Sequence, residues 1–212
     1  MSEVRYSING IYFKDFGTYV SASDGLMDAL KRKPVKSYDW AEYNGQSVDL
    51  SNPKFEAREI ELKCFIVGAN WQELFDDFNA MIRDEFSKSG TQRLLIEPFG
   101  YKPLPYEVYM TDEIKVDKTF RNGQMAAIFS MKMIEPNPIK KILRVNGATL
   151  NLSYESDTET EIFYGNGTMD TVTGNCQITN KVLPFGSIVI IAGDIDNLKN
   201  FSTSVEILWE KL

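Results

Sequence analysis

Carboxylates are the side chains in this sequence whose spacing is best suited to chemistry. Four acidic residues alternate along one segment: Glu155, Asp157, Glu159 and Glu161. A second group is the Asp194-x-Asp196 pair beside Asn197. Calcium prefers such oxygen ligands, although neither group has the spacing of an EF-hand loop, and paired carboxylates also cleave glycosides. The pattern favours solvated acidic faces and leaves a cation site open.

Other catalytic chemistry finds no support in the sequence. The chain has no histidine, which excludes Ser-His and Cys-His nucleophile pairs and zinc sites built on histidine. Cys64 and Cys176 are too few for a Cys-only zinc site in one chain, and we predict two buried free thiols. Gly165-Asn166-Gly167-Thr168 lacks the lysine of a phosphate loop and is interpreted as a turn. We therefore predict no catalytic residue, no metal, no cofactor and no enzymatic activity.

Composition also limits the partners. Lys and Arg number 23 against 30 Asp and Glu, giving a net charge of −7 without a long block of either sign. Nucleic-acid affinity depends on clustered basic residues, so no specific nucleic-acid binding is expected. The N-terminus lacks the pattern of a signal peptide, and the longest apolar run, 188–192, is too short to span a bilayer. We expect a protein made in the cytoplasm, with no membrane partner.

The stretch from Arg58 to Gly90 predicts a strand followed by a helix. Apolar residues alternate with charged ones through Ile66, which is the period of a half-buried strand. Asn70 followed by Glu73 predicts a helix N-cap, and the helix should span about 71–87. Its apolar residues repeat at helical spacing: Trp71, Leu74, Phe75, Phe78, Met81, Ile82 and Phe86. We expect this whole stripe to be buried against a sheet.

Turn signals predict β-hairpins through the rest of the chain. Asn-Gly, which suits a tight hairpin turn, begins at residues 9, 44, 122, 146 and 166. Residues 23–31 are interpreted as a helical turn or an irregular crossing segment. Residues 106–116 and 124–134 are predicted to be the two longest strands, forming one hairpin.

Pro136 and Pro138 mark the clearest boundary in the sequence, because two closely spaced prolines stop a strand and stiffen the chain. We predict two domains, 1–139 with the helix and 140–212, a small all-β sandwich or barrel. The fold class is mainly β with one flanking helix.

Residues 1–139 resemble the N-terminal domain of siphophage distal tail proteins, the family often called Dit, and more loosely the tail-tube proteins. The resemblance is carried, in order, by these segments: 8–17, Gly25-Leu26 with Lys31, 38–40, 58–66, the amphipathic helix, 94–96, 106–109 and 129–133 before Glu135-Pro136. It implies a split β-barrel with a flanking helix, whose copies join sheets in a ring, typically a hexamer, around the tail channel. Such a ring belongs to the virion tail and links the tail tube to the baseplate hub, so the implied partners are other copies, the tail tube, the tape measure and the tail-tip hub.

A long unshielded hairpin is an aggregation hazard unless neighbouring copies pair with it, so we expect subunit contacts along 106–134. The predicted interface residues are these: Tyr106, Val108, Met110, Lys115, Ile128, Ser130 and Lys132. Two alternatives remain open, a tail-tube protein and a carbohydrate-binding module acting through the C-terminal domain. Many family members carry a galectin-like sandwich there, but residues 139–212 are few for one, so host-glycan binding is not carried over.

Overall fold

The computed structural model describes residues 3–42, 44–121 and 124–212. In these residues the chain forms sixteen strands and one 16-residue helix, so the fold is mainly β with a single flanking helix. Strands before the helix are β1 (Arg5–Ile8), β2 (Ile11–Tyr12), β3 (Thr18–Asp24), β4 (Ser37–Asp39), β5 (Gln46–Val48) and β6 (Arg58–Gly68). Strands after it are β7 (Gln92–Glu97), β8 (Leu104–Met110), β9 (Val116–Arg121), β10 (Gln124–Glu135), β11 (Lys140–Arg144), β12 (Thr149–Phe163), β13 (Met169–Val182), β14 (Ile188–Gly193), β15 (Lys199–Thr203) and β16 (Glu206–Trp209). Short 3₁₀ turns occupy Phe13–Phe16 and Ile195–Asn197.

The first antiparallel sheet is built around β6 and β10. Its order is β2-β1-β7-β8-β10-β6-β3. β8 and β9 lie on the same side of β10: β8 pairs with its C-terminal end and β9 with its N-terminal half. The β6–β10 register runs from Met125 opposite Gly68 to Glu135 opposite Arg58. Both halves of the sheet supply side chains to one core, including Ile8, Leu94 and Met131. The sheet path does not close on itself among these strands, because β2 and β3 end it.

Helix α1 spans Trp71–Asn79 and continues as a π-helical stretch over Ala80–Phe86. The Glu73 N–H donates to the Asn70 side chain at 2.9 Å, and the Ala69 N–H donates to the Glu73 carboxylate at 2.8 Å. These bonds satisfy amides that a helix start leaves without partners. The predicted N-cap and the predicted helix range are therefore confirmed.

The second antiparallel sheet uses strands from Lys140 onward, in the order β13-β12-β14-β11-β16, with β15 beside β12. Its core includes Leu143, Tyr154 and Ile191. The two sheets share no strand in the described residues, although the division into domains at 139 and 140 stays a prediction. In the part of the chain described, no helix has the length and apolar character needed to cross a membrane.

Two predictions of local structure were wrong, and of the two alternatives for residues 23–31 the irregular segment is confirmed after Asp24. The two longest strands are β12 and β13, and β8 ends at Met110 because it pairs with β7 and gives way to β9 beside β10. Residues 23–31 form no helical turn, since β3 continues to Asp24 and Gly25 turns the chain at φ +84°. Asn146-Gly147 joins β11 to β12, but β14 lies between those strands, so they form no hairpin.

Asn-Gly turns elsewhere match the prediction. Residues 9–10, 44–45 and 166–167 each connect paired antiparallel strands. At the first turn both residues have positive φ, 50° and 87°, as a type I′ turn requires. The predicted turn at Asn122-Gly123 lies outside the described residues.

A buried ionic cluster lies where the two sheets meet. The Glu135 carboxylate accepts from Lys140 Nζ and, at 3.2 Å, from Arg58 Nε. Lys140 Nζ also lies 4.2 Å from the centroid of the Tyr106 ring. Burial raises the pKa of Glu135 and lowers the pKa of Lys140 to about 8, each against the attraction of its partner. The cluster joins the last strand of the first sheet to the first strand of the second.

Candidate functional site

The predicted interface residues divide into a buried set and an exposed set. Tyr106 and Val108 are fully buried in the core of the single chain, and Met110 packs partly buried against the same core. We therefore correct the predicted interface by removing Tyr106 and Val108, whose side chains a second copy cannot reach without unfolding β8.

The remaining four predicted residues lie together. Lys115, Ile128, Ser130 and Lys132 line one open groove of about 540 Å³, which we call the charged groove. Its other wall carries acidic residues: Asp112, Glu113 and Asp117. Lys115 lies 3.5 Å from Glu113, and Lys132 lies 4.0 Å from Asp112. Both signs of charge are exposed here around Ile128, which is 57% exposed.

A second groove lies on the opposite face of residues 112–118, the segment that also lines the charged groove. Ile114, Val116 and Lys118 alternate with the residues of the charged groove, because successive side chains of an extended segment point to opposite faces. They face helix residues, and together they enclose about 670 Å³: Trp71, Gln72, Leu74, Phe75 and Phe78. We call this the apolar groove.

The sequence missed the apolar groove because it predicted the whole helical stripe to be buried. Trp71 is 40% and Phe75 61% exposed, whereas Leu74, Met81 and Phe86 are buried. Phe78 packs edge-on against Phe129 of β10 at 5.2 Å between ring centroids. The sheet covers only one side of the apolar stripe. Trp71 and Phe75, which are four residues apart and so share one face of the helix, remain exposed.

In the part of the chain that the structure describes, three strands form unpaired edges of the first sheet: β2, β3 and β9. In the described residues β3 pairs only with β6, and β9 pairs only with β10. The four strands β3, β6, β10 and β9 carry an exposed apolar row, in which the Tyr19 and Phe65 rings stack at 5.2 Å and Ile128 lies opposite Phe65. Exposed edges with apolar side chains favour pairing with another chain.

Residues 31–54 form an arm that leaves the core. Every residue of the arm that the structure describes is exposed, and none of them belongs to a hydrophobic cluster. Its two sides meet at the Arg32–Phe55 bridge and at the β4–β5 hairpin, where Tyr38 and Trp40 stack at 6.3 Å. At its root, Arg58 Nη1 donates to the carbonyls of Gly25 and Leu26 at 3.2 and 3.1 Å.

The arm is also tied to the second sheet. Lys54 Nζ donates to Asp194 Oδ2 at 2.9 Å, and this bond, more than any other contact, lowers the pKa of Asp194. A carboxyl whose pKa is lowered by folding stabilises the fold above its ordinary pKa, near 3.8, and loses that contribution as the pH falls through the lowered value.

Replacing Lys54 by alanine is expected to raise the pKa of Asp194 toward its ordinary value. The Asn197 side-chain bond to Asp194, 3.0 Å long, remains and should keep part of the shift. NMR titration of the Asp194 carboxyl carbon in both proteins measures the change. An unchanged Asp194 pKa in Lys54→Ala would show that this bond does not form in solution.

The acidic residues singled out from the sequence are mostly paired with polar or basic side chains. Asp157 contacts Lys199 at 2.8 Å and Asp196 contacts Lys211 at 2.5 Å. In 3–42, 44–121 and 124–212 no three potential metal ligands cluster. These contacts favour solvated acidic faces over a cation site.

Both cysteines are free and buried, as predicted. Burial raises the pKa of the Cys64 thiol to about 12, so it stays protonated and unreactive at neutral pH.

Comparison with solved structures gives several matching chains, one of which is a phage protein. The chain is similar to the crystal structure of the Dit protein of phage SPP1, with 10% identity and a TM-score of 0.45, over 90% of this chain and 98% of SPP1 Dit. That protein is described as a paradigm of the hub adsorption apparatus in phages that infect Gram-positive bacteria. SPP1 Dit is a distal tail protein, the family that the sequence resembles.

No family model matches the sequence, and no curated protein matches it. A TM-score below 0.5 does not establish a common fold, so the function of this chain has to follow from its own residues.

The first sheet exposes two grooves and unpaired strand edges, and the arm extends beside it; such features are typical of surfaces that bind protein chains.

Proposed function

We propose that this protein is a structural component of a phage or prophage tail, a distal-tail adaptor that forms a ring between the tail tube and the tail tip. Its partners are then other copies of itself, the tail tube, the tape measure and the tail-tip hub. The sequence resemblance over residues 1–139 supports the family role, and the surfaces of the first sheet support self-assembly.

The observation that carries the proposal is the pair of unpaired edges, β3 and β9, on one four-stranded region. Strand directions alternate through β3, β6, β10 and β9, since each neighbouring pair is antiparallel. When a second copy follows by rotation about an axis along the strands, its β3 meets β9 of the first copy in an antiparallel sense. This pairing continues the hydrogen-bond pattern of the sheet from copy to copy.

Such a contact joins two different surfaces, so it propagates head to tail. A heterologous contact closes into a ring when the rotation per copy divides a full turn, and otherwise gives an open filament. The charged groove lies directly beside β9, where charges of both signs fix the register of an incoming edge. The rotation between neighbouring copies sets the number of copies in the ring, and the family resemblance makes six the expected number.

The carbohydrate-binding alternative has less support. Sugar-binding surfaces use exposed aromatic rings, but Tyr154 and Tyr164 of the second sheet are buried. Phe185 is the aromatic residue of 140–212 that is strongly exposed in the described structure.

We expect the purified chain to have a solution mass near six chains, measured by light scattering during size-exclusion chromatography. Reversing both lysines of the charged groove, Lys115→Glu with Lys132→Glu, is expected to weaken assembly by about tenfold or more, because charge complementarity sets the register. Arg83→Glu is the matched control, since Arg83 is 76% exposed on the helical segment and contacts only its neighbour Asp84.

Each outcome separates the candidates. Closed rings by negative-stain microscopy support the adaptor, whereas long filaments favour the tail-tube alternative. Unchanged assembly of the double variant would remove the charged groove from the contact. A wild-type chain that stays monomeric at every concentration would contradict self-assembly.

A further inference from the structure

We propose that the arm, residues 31–54, binds in the apolar groove of a second copy of this chain. This inference rests on the proposed self-assembly and adds to it a second contact, separate from the paired edges.

The arm has the composition of a segment that binds elsewhere. Tyr38, Trp40 and Leu50 are each 58% exposed, although aromatic and aliphatic side chains of this size are normally covered. The hairpin that carries them contributes to no core of its own chain. A two-stranded hairpin alone is marginally stable in water, so the arm gains stability from a surface that covers these rings.

The apolar groove offers that surface. Trp71 and Phe75 form one wall, and Ile114 and Val116 the other. A volume of about 670 Å³ accommodates one or two large side chains. Aromatic residues that insert into such pockets supply much of the energy of a protein interface.

The arm stem and helix α1 carry opposite charges, and Lys118 adds one positive charge to the facing wall of the groove. Lys31, Arg32, Lys33 and Lys36 give the arm a basic stem, and the last three have no ion pair in the described residues. Helix α1 carries Glu73, Asp76 and Asp77 and no basic residue between Trp71 and Asn79. Gln72 holds Asp76 beside the groove through a bond of 2.9 Å.

The acidic residues of the helix also repel one another. Partial burial, with the charges of Glu73 and Asp76, raises the pKa of Asp77. A basic partner relieves this repulsion, which is an electrostatic reason for the helix to accept the arm stem.

We assign the groove to another copy, because among the described residues no part of the arm lines the groove of its own chain. The arm leaves the sheet next to Arg58, whereas helix α1 begins just after Gly68, at the other end of β6. The two ends of β6 lie about 33 Å apart at the rise of an extended strand, and the arm reaches about 25 Å from Arg32 to Asp39, which is short of the Trp71 end of the groove.

Disulfide crosslinking between two variants of the full chain tests the proposal. One variant carries Ser37→Cys on the arm and the other Gln72→Cys at the groove; both positions are exposed, and the native cysteines are buried. After mild oxidation of the mixture, we expect a crosslinked dimer containing one chain of each kind. The matched control replaces Gln72→Cys by Arg83→Cys, an exposed position on the same helical segment that lines neither groove, and should crosslink poorly.

Phe75→Ala in the groove variant is expected to lower the crosslinking rate by about tenfold, as for an aromatic anchor of an interface. Since Phe75 is 61% exposed, this change should leave the fold intact, which circular dichroism and the thermal midpoint verify. Equal crosslinking at 72 and 83, or no effect of Phe75→Ala, would overturn the arm contact. Because the crosslink reports a single pair of chains, it is read independently of whether rings form, so failure of the ring and failure of the arm contact are distinguishable.

Discussion

Replacing Glu135 by alanine is expected to lower the free energy of unfolding by about 3–5 kcal/mol, the usual cost of removing one partner from a buried ion pair. Glu135 and Lys140 are each 1% exposed, and Arg58 is 8% exposed. Without the carboxylate, the Arg58 guanidinium is left buried without its counter-ion. Lys140, whose pKa burial already lowers to about 8 beside Glu135, then loses the partner that favours its charged form and is deprotonated at neutral pH.

The consequence extends beyond stability. Arg58 also holds the arm root through the Gly25 and Leu26 carbonyls, and Lys140 begins the second sheet. Losing Glu135 is therefore expected to loosen β6, the arm root and the start of the second sheet at once. Urea unfolding followed by far-ultraviolet circular dichroism measures the change in midpoint and slope.

Asp112→Ala is the matched control for Glu135→Ala. The Asp112–Lys132 pair is 4.0 Å long with both side chains more than half exposed, so its loss should change stability little. Equal effects of the two substitutions would mean that Glu135 is not buried as an ion pair.

Replacing Gly25 by alanine is the second large effect that we expect. Gly25 has φ +84°, and an added Cβ would lie 1.9 Å from the carbonyl oxygen of Glu59. That oxygen belongs to the backbone of β6 and cannot move aside as a flexible side chain does. Either β3 or the arm root must shift, which would break the bonds from Arg58.

Gly174→Ala separates the cost of the left-handed conformation from the cost of the clash with the Glu59 carbonyl. Gly174 has the same φ of +84°, but nothing lies within 4 Å of its added Cβ. The free energy of unfolding of Gly174→Ala should fall only by the cost of placing a non-glycine residue in the left-handed region, about 1–2 kcal/mol. Gly25→Ala should lose clearly more, and trypsin should cleave its arm faster at Lys31 and Arg32. Similar losses in both variants would contradict the close approach of Gly25 to Glu59.

Local chemistry in the sequence was enough to predict several elements. The alternation through Arg58–Ile66, the Asn70–Glu73 cap and the Asn-Gly turns at 9, 44 and 166 all lie where they were expected. Each depends on neighbouring residues, which the sequence displays directly. The order of such elements also produced the resemblance to distal tail proteins.

The surfaces on which the proposals depend were only partly predictable. Lys115, Ile128, Ser130 and Lys132 came from the length of one predicted hairpin, and the structure places them in one groove. Tyr106 and Val108 were included with them, although β8 pairs with β7 and buries both side chains. Which strands become neighbours is a long-range property that no local pattern contains.

By itself, the sequence determined where strands, turns and the helix form, because period, caps and turn residues act within a few positions. Tertiary structure decided which of their faces remain open. The apolar period from Trp71 to Phe86 marks one continuous stripe, but β6 and β10 support only part of it. The unpaired edges of β3 and β9, the exposed arm and the apolar groove all follow from where the sheet ends.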